Sequence, residues 1–221
     1  QADINAILES IDRIASGTQF GGQKLLDGSL DYEVRGNELN RFDWVRVNAA
    51  RLGTTGETLD VHAEILNEAE RARSGITLNG GGVFTSSMGM TVTFEITGPK
   101  GIQQFTFADG TTKLDMETAI STFAEDLGIE VDLDSNNELI IQSTEYGSDQ
   151  SVGIRVTEAN GQSTASGGFV RAFNGSIWTT AADNTDVGTG KDAEIIIDGQ
   201  MATVRGLEAH MVANGFNVEI R

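Results

Sequence analysis

Apolar residues recur at helical spacing at the start of the chain, and polar residues fill the positions between them. Steps of three and four residues are typical of an amphipathic helix. On the polar side, Glu9 and Arg13 lie four positions apart and form a favourable helical pair. The pattern predicts a helix that ends near Gly17. Its apolar face consists of Ile4, Ile7, Leu8, Ile11, Ile14 and Ala15.

The helical period is lost after Gly17, and residues 18–29 are polar and rich in glycine. Glycine accepts the backbone conformations that tight turns require. We therefore expect a turn after the helix, held by the short apolar anchors Phe20, Leu25 and Leu26.

The next segments are extended. Asp43 to Asn48 alternates apolar and polar residues and predicts a strand. Glu57 to Gly75 fits two patterns. Alternation from Leu59 to Ile65 favours a strand followed by a turn and a second extended piece, whereas the composition of Ala63 to Arg73 favours a helix. The strand interpretation is preferred here, and the helical alternative stays open.

Five segments in the middle of the chain alternate apolar and polar residues as strands do. They predict two hairpins and one further strand, at Met90 to Ile96, Gln103 to Phe107, Ile129 to Leu133, Glu138 to Ser143 and Val152 to Thr157. A helix between the hairpins would begin after Thr112, with Asp115 at the capping-box position, and end at Gly128. Its apolar face would contain Met116, Ala119, Ile120, Phe123, Ala124 and Leu127.

The last part of the chain predicts fewer regular elements. Asn160 to Gly190 is polar and is expected to be a loop with short strands. Ala193 to Ile197 and Met201 to Val204 predict a hairpin around Asp198-Gly199, and Phe216 to Ile220 predicts a last strand. The predicted fold class is α+β and mainly β, with an N-terminal amphipathic helix and turn followed by antiparallel β modules, one of them with a single crossing helix.

Composition narrows the possible partners. The chain has 221 residues, enough for one or two domains, and a formal net charge of −18. The charge of so acidic a protein disfavours nucleic-acid binding, because phosphate binding needs a basic surface. The same negative charge disfavours binding to an anionic membrane. There is no cysteine, which excludes disulfides, thiolate nucleophiles and cysteine-ligated metals.

Templates for catalytic and metal sites fail on named residues. His62 lacks a second histidine four positions on, and the other histidine, His210, is far along the chain. Gly190-Lys191 lacks the earlier glycine of a phosphate loop and is interpreted as a turn. The acidic run that begins at Asp132 resembles a calcium loop, but position six is Asn137. No enzyme hypothesis survives, and no catalytic residue, metal or cofactor is predicted.

The opening stretch resembles a known family. Ile11 to Ser16, Thr18 to Phe20 and Gly22 to Gly28 resemble the segment of bacterial flagellins that reads I-D-R-I-A-x-x-T-Q-F-N-G-x-K-L-L-D-G, with Gly21 where asparagine is usual. Met90 to Thr157 is similar to the β-rich repeat of the variable central region in flagellins and hook-associated proteins. Lys191 to Val204 looks like another such segment.

The resemblance implies an extracellular structural subunit of the flagellar filament. Residues 1–48 would belong to the rod-like inner domain and residues 49–221 to the variable outer region, whose clearest module is about 83–157, with a further β segment at about 191–221. Implied partners are other flagellin subunits, a flagellar secretion chaperone and the cap. The subunit-packing face would be Ile4, Ile7, Leu8, Ile11 and Ile14, and the inner-domain turn would contain Thr18, Gln19, Phe20, Gly22, Leu25, Leu26 and Gly28.

Three expectations follow from this assignment or compete with it. Because Gln1 begins inside a helix and Arg221 follows a strand directly, the sequence is expected to be a central fragment without the terminal assembly helices. The apolar helix face would then be under-buried, whereas the alternative is that it covers the chain's own β core. Rival functions are a hook–filament junction protein and a carbohydrate-binding module, in which Trp178 would stack on sugar together with Phe173 and Phe169.

Overall fold

The computed structural model describes residues 2–17, 19–20, 23–24, 32–36, 38–52, 58–77, 84, 91–133, 138–159, 170–173, 178–180, 182–213 and 215–221. The helices are α1 (Ala2–Gly17), α2 (Lys113–Ser121) and α3 (Ala124–Leu127). The strands are β1 (Gln19–Phe20), β2 (Gln23–Lys24), β3 (Val45–Ala49), β4 (Ala63–Asn67), β5 (Arg71–Thr77), β6 (Val92–Thr97), β7 (Ile102–Phe107), β8 (Ile129–Leu133), β9 (Glu138–Tyr146), β10 (Ser151–Ala159), β11 (Val170–Phe173), β12 (Trp178–Thr180), β13 (Thr185–Thr189), β14 (Glu194–Ile197), β15 (Gln200–Met201), β16 (Thr203–Arg205), β17 (Glu208–Ala213) and β18 (Phe216–Ile220).

The predicted fold class is confirmed. Strands make up most of the described regular structure, and the sheets are antiparallel. The chain divides into two units, Gln1–Leu59 with Val212–Ile220, and Asp60–Met211 with Arg221. The assignment of residues 1–48 and 49–221 to an inner and an outer domain stays a prediction.

The first unit contains α1, the short β1–β2 pair and a second pair of strands. α1 ends at Gly17, where the sequence predicted a helix stop. In β1 and β2, Gln19 pairs with Lys24 and Phe20 with Gln23. β3 pairs antiparallel with β18, which confirms the strands predicted at Asp43 to Asn48 and Phe216 to Ile220 with small shifts in their ends.

The second unit is built around two sheets. One has the strand order β13-β10-β6-β7 and the other β12-β11-β5-β9-β8. Alternation along the strands points one side chain in two toward a shared buried cluster. That cluster takes residues from both sheets and from the helices, namely Ala72, Ile76, Phe84, Val92, Phe94, Ile96, Phe105, Phe107, Met116, Ile120, Leu127, Ile129, Leu139, Ile141, Val152, Ile154 and Val170.

The predicted helix after Thr112 forms, but in two pieces. The Thr112 hydroxyl accepts a hydrogen bond from the Asp115 N–H at 3.2 Å, as the capping prediction requires. α2 ends at Ser121, and Phe123 adopts a non-helical conformation before α3. Thr118 and Thr122 donate side-chain hydrogen bonds to carbonyls four residues back, which favours bending at this point. The prediction of one continuous helix was therefore wrong at this break.

The ambiguous region before Gly75 is extended. β4 and β5 occupy it, so the strand interpretation is confirmed and the helical alternative is wrong for the described residues. β5 pairs with both β9 and β11 in the five-stranded sheet, and β4 pairs with β14 in a three-stranded sheet of order β15-β14-β4. Tertiary pairing thus overrides the helix propensity of this segment.

Strand β13 lies in Asn160 to Gly190, which was predicted as a loop with short strands, but its position was not predicted because the sequence around it is polar and contains glycine. It pairs along its length with β10. A Cβ atom on Gly188 would lie 1.8 Å from the carbonyl oxygen of Arg73, so only glycine allows β13 to cross β5 this closely. β17 was missed as well. Its buried positions, Ala209 and Met211, make a weak strand pattern.

Loops of the second unit meet around the carboxylate of Asp192, at a place that we call the Asp192 junction. Asp192 Oδ1 accepts hydrogen bonds from the backbone N–H groups of Ser148 at 3.0 Å and Gly206 at 2.7 Å. Its Oδ2 accepts from the Ser148 hydroxyl at 2.6 Å. The Ser148 hydroxyl and these N–H groups hold the pKa of Asp192 below its ordinary value.

Replacing Asp192 by alanine should destabilise the second unit by about 1–2 kcal/mol, after allowance for solvent screening of a partly exposed carboxylate. Because the folded-state pKa is lowered, this stabilisation is present above the unfolded-state pKa of about 4 and is lost as pH falls through the folded value. Urea unfolding from pH 7 to pH 3 should show the difference from the parent protein shrinking in acid. Asp60→Ala, at an exposed carboxylate, is the control. An unchanged midpoint at pH 7 would contradict this role of Asp192.

The pKa of Asp186, on β13, is shifted in the opposite direction to that of Asp192. Burial raises the pKa of its carboxyl, although the Ser74 hydroxyl opposes the shift by a hydrogen bond. Within the described part of the chain, its Oδ2 is buried without a hydrogen-bond partner. A buried carboxylate oxygen of this kind lowers the stability of the charged form.

Asp186→Asn should therefore raise the unfolding temperature at pH 7 by a few degrees, because it removes a partly buried charge. A raised folded-state pKa favours the folded state in acid, and this benefit is lost as pH rises through the folded value. The gap between variant and parent should therefore narrow toward pH 4. Calorimetry at both pH values measures it, with Asp60→Asn as control. A lower unfolding temperature for Asp186→Asn at pH 7 would refute the argument.

Candidate functional site: the exposed face of the opening helix

α1 carries the candidate packing face. Each of its large aliphatic residues exposes between 54 and 61 % of its surface: Ile4, Ile7, Leu8, Ile11 and Ile14. The polar side is exposed too, at Glu9, Ser10, Asp12 and Arg13. The expected under-burial of these five side chains is therefore observed.

The spacing of these residues suits packing against another helix. Ile4, Ile7, Ile11 and Ile14 follow steps of three and four residues, which is the heptad pattern of a helix–helix seam. Leu8 widens the seam on one side. Covering such a side chain contributes about 1.5–3 kcal/mol. Covering all five side chains with a partner surface would therefore strongly favour association. That they pack between subunits stays a prediction.

Few of the predicted turn residues fall on described positions. Gln19 and Phe20 form β1 and pair with β2, so the chain reverses directly after α1. The other predicted members lie outside the described residues: Thr18, Gly22, Leu25, Leu26 and Gly28. Their assignment to an inner-domain turn stays a prediction.

Trp178, the predicted sugar-stacking residue, begins β12. The backbone register pairs it with Phe173 on β11. Phe169 lies outside the described residues. A sugar-stacking role for these aromatic residues stays a prediction.

The groups tested for metal or anion chemistry have structural contacts. The His62 N–H donates to Asp198 Oδ1 at 2.8 Å, and the Asp198 N–H donates to the His62 carbonyl, also at 2.8 Å. Lys191 pairs with Glu70 through both backbones and through an Nζ–Oε1 ion pair of 2.9 Å. Over the residues with described positions, no group of three or more His, Asp or Glu side chains could hold a metal ion.

An open groove of about 230 Å³ lies beside the Asp192 junction, lined by residues that include Tyr146, Leu207 and Arg221. Across it, Arg205 contacts Asp149 Oδ2 through Nε at 3.1 Å and through Nη2 at 2.8 Å. Gln150 and Arg205 lower the pKa of Asp149. Arg205 and Asp149 therefore compensate each other, and the carboxylate of Glu145 also lines the groove. Among the described helices, none is long and apolar enough to span a bilayer.

No protein-family model and no curated protein matches the chain. Several solved structures share part of its chain path. The D2–D3 domains of the flagellar cap protein FliD from Serratia marcescens are 13% identical, with 81% of this chain and 93% of that chain covered and a TM-score of 0.44. FliD (HAP2) from Pseudomonas aeruginosa is 16% identical, with 79% and 77% covered and a TM-score of 0.48.

The flagellar cap protein FliD from Bdellovibrio bacteriovorus is also similar, at 14% identity, with 79% of this chain and 88% of that chain covered and a TM-score of 0.42. At these identities and TM-scores the likeness is one of chain path alone, and it assigns no function to this chain.

Proposed function

We propose that this chain is a structural subunit of the bacterial flagellar filament, of the flagellin type. The proposal is supported by one observation: the flagellin-like segment of the sequence, Ile11 to Gly28, overlaps the helix with the exposed apolar face. A self-assembling subunit needs such a face, because burial of apolar surface is the main favourable term in association.

The function is mechanical and requires no catalysis. In the filament, the apolar face of α1 packs against other helices of the assembled rod and holds neighbouring subunits together. The β-rich units face outward and form the filament surface. Their acidic character, with a net charge of −18 for the chain, keeps assembled filaments from sticking to one another.

The proposed location is extracellular, in the flagellar filament. The proposed partners are further copies of the subunit, a flagellar secretion chaperone and the flagellar cap. The chain has no cysteine and one proline, Pro99, so neither disulfide formation nor proline isomerisation at several sites slows refolding after export.

A hook–filament junction protein of the same apparatus is the second candidate, because the sequence resemblance extends to hook-associated proteins. The two are separated by abundance and position. A filament subunit dominates purified filaments along their length, whereas a junction protein is found at the hook end only. Immunogold labelling of intact flagella distinguishes these distributions, and absence of the chain from the organelle would refute both.

Leu8→Asn should abolish or strongly reduce filament assembly, because it places an amide in the centre of the apolar face. Leu114→Asn is the matched control, since Leu114 is also an exposed leucine on a helix, at 63% against 54%. Motility in soft agar and the yield of sheared filaments measure assembly. Wild-type filament yield from Leu8→Asn would contradict the proposed packing role.

Both leucine variants should leave the folded chain nearly as stable as the parent, because neither side chain is buried. We expect a change below about 1 kcal/mol in the free energy of unfolding. Ile141→Ala, at a fully buried position, should cost about 2–5 kcal/mol in the same urea titration. A loss of stability by Leu8→Asn comparable to that of Ile141→Ala would show that the face is structural within the chain.

A further inference from the structure

The four-stranded sheet β13-β10-β6-β7 has a side turned away from the core, which we call the outer face. On β10, Val152 and Ile154 are in the buried cluster, and strand alternation places Gly153 and Arg155 on the opposite side, the outer face. Arg155 is exposed there, whereas Gly153 is buried between the side chains of Val187 and Thr97. Pairing in register then gives its other members on the three remaining strands: Thr185, Val187, Thr189, Thr93, Glu95, Thr97, Ile102, Gln104 and Thr106.

One row across the outer face is apolar at both ends. The register runs Val187, Gly153, Thr97, Ile102 from β13 to β7. Val187 and Ile102 each expose 63% of their surface. The two central residues are small, so the row is a shallow trough between two apolar ridges about 14 Å apart.

The next row carries a compensated charge pair. It runs Thr185, Arg155, Glu95, Gln104. Arg155 Nη2 lies 2.5 Å from Glu95 Oε1, and Gln104 Nε2 donates to Glu95 Oε2 at 3.2 Å. Arg155 and Glu95 are the charged side chains described on this face. The register also brings Glu158 opposite Thr93 at one end.

Local charge matters because the whole chain is strongly acidic. Two copies with a net charge of −18 repel each other over most of their surfaces. On the outer face the described charges Arg155 and Glu95 compensate each other, with Glu158 at one end, so repulsion between two copies is weaker here. The hydroxyls of Thr93 and Thr106 lie 2.8 Å apart and satisfy each other, so this pair costs little to cover.

We propose that the outer face is a homotypic docking surface, on which a second copy of this chain packs face to face about a two-fold axis parallel to the strands between β10 and β6. This axis exchanges β13 with β7 and β10 with β6. Val187 of one copy then meets Ile102 of the second copy, and Gly153 meets Thr97. Arg155 meets Glu95 of the second copy, so each row is complementary to itself.

The interface is small and therefore weak. A face about 14 Å wide and about 17 Å long buries less than about 1,000 Å² in total, below the size of a stable dimer interface. We expect a dissociation constant on the order of 0.1–1 mM. The contact forms when copies are held side by side at high local concentration. It is independent of α1 and of the identity of the assembled structure.

The decisive experiment uses reciprocal charge changes in the full chain that also carries Leu8→Asn, so that association through the exposed α1 face does not contribute. Arg155→Glu and Glu95→Arg should each abolish self-association, because each places like charges opposite each other. A 1:1 mixture of the two variants should restore it, since both interfacial pairs are then of opposite charge. Sedimentation equilibrium at millimolar protein and about 0.15 M salt measures this, because that salt screens long-range repulsion more than contact pairs. Circular dichroism confirms that each variant is folded.

A second comparison tests the apolar row. Val187→Glu should weaken self-association at least about tenfold, whereas Val212→Glu introduces the same charge at a valine with 64% exposure on β17 and should leave it unchanged. A monomeric parent at millimolar concentration would overturn the proposal. Failure of the charge-variant mixture to restore association, or equal effects of the two valine variants, would also overturn it. None of these outcomes bears on filament assembly through α1.

Discussion

The loops of the second unit depend on the Asp192 junction, where three backbone segments approach each other too closely for side chains to fit between them. Three glycines at the Asp192 junction have no room for a Cβ atom. A Cβ on Gly147 would lie 2.9 Å from Gly206 Cα, one on Gly190 would lie 2.3 Å from the Gly147 carbonyl oxygen, and one on Gly206 would lie 2.6 Å from the Tyr146 carbonyl oxygen. Apolar burial cannot hold such a place together, because there is almost no apolar surface to bury. A carboxylate does so instead, by accepting backbone hydrogen bonds from two loops. The junction thereby fixes how the β9–β10 turn meets the β16–β17 turn.

This dependence explains what the sequence could and could not predict. Strands β6, β7, β8, β9 and β10 were predictable, because their own alternation records which side faces the core. The Asp192 junction was not, since its members are scattered along the chain and its glycines look like ordinary turns. Gly190-Lys191 was interpreted in that way. β13 escaped for a related reason, because Gly188 weakens the strand pattern where the backbone of β5 approaches. The break at Phe123 follows threonine side chains that donate to helix carbonyls four residues back, a feature that helix periodicity does not record.

The candidate site was more predictable than the loops. A stripe at helical spacing is a local property, and its exposure follows because α1 finds no complementary apolar surface among the described residues of its unit. The outer face was harder to find, although a signal exists. Ile102 is out of phase with the core residues Phe105 and Phe107 on the same strand, and Val187 lies between the inward Asp186 and Gly188. Apolar residues at the outward parity of two strands are therefore the sequence signal for this face.

The two surfaces differ in strength in a way that suits a fibrous assembly. The α1 face presents five large aliphatic side chains, so in the proposed assembly it would provide most of the association energy. The outer face is small and nearly neutral, so it acts only between copies that are already close. On β13 the inward positions are fixed by the close approach of β5, whereas Val187 contributes nothing to the buried cluster. Residues on the outward side can therefore change without loss of the fold. The acidic charge elsewhere then restricts close contact between copies to the few places where it is compensated.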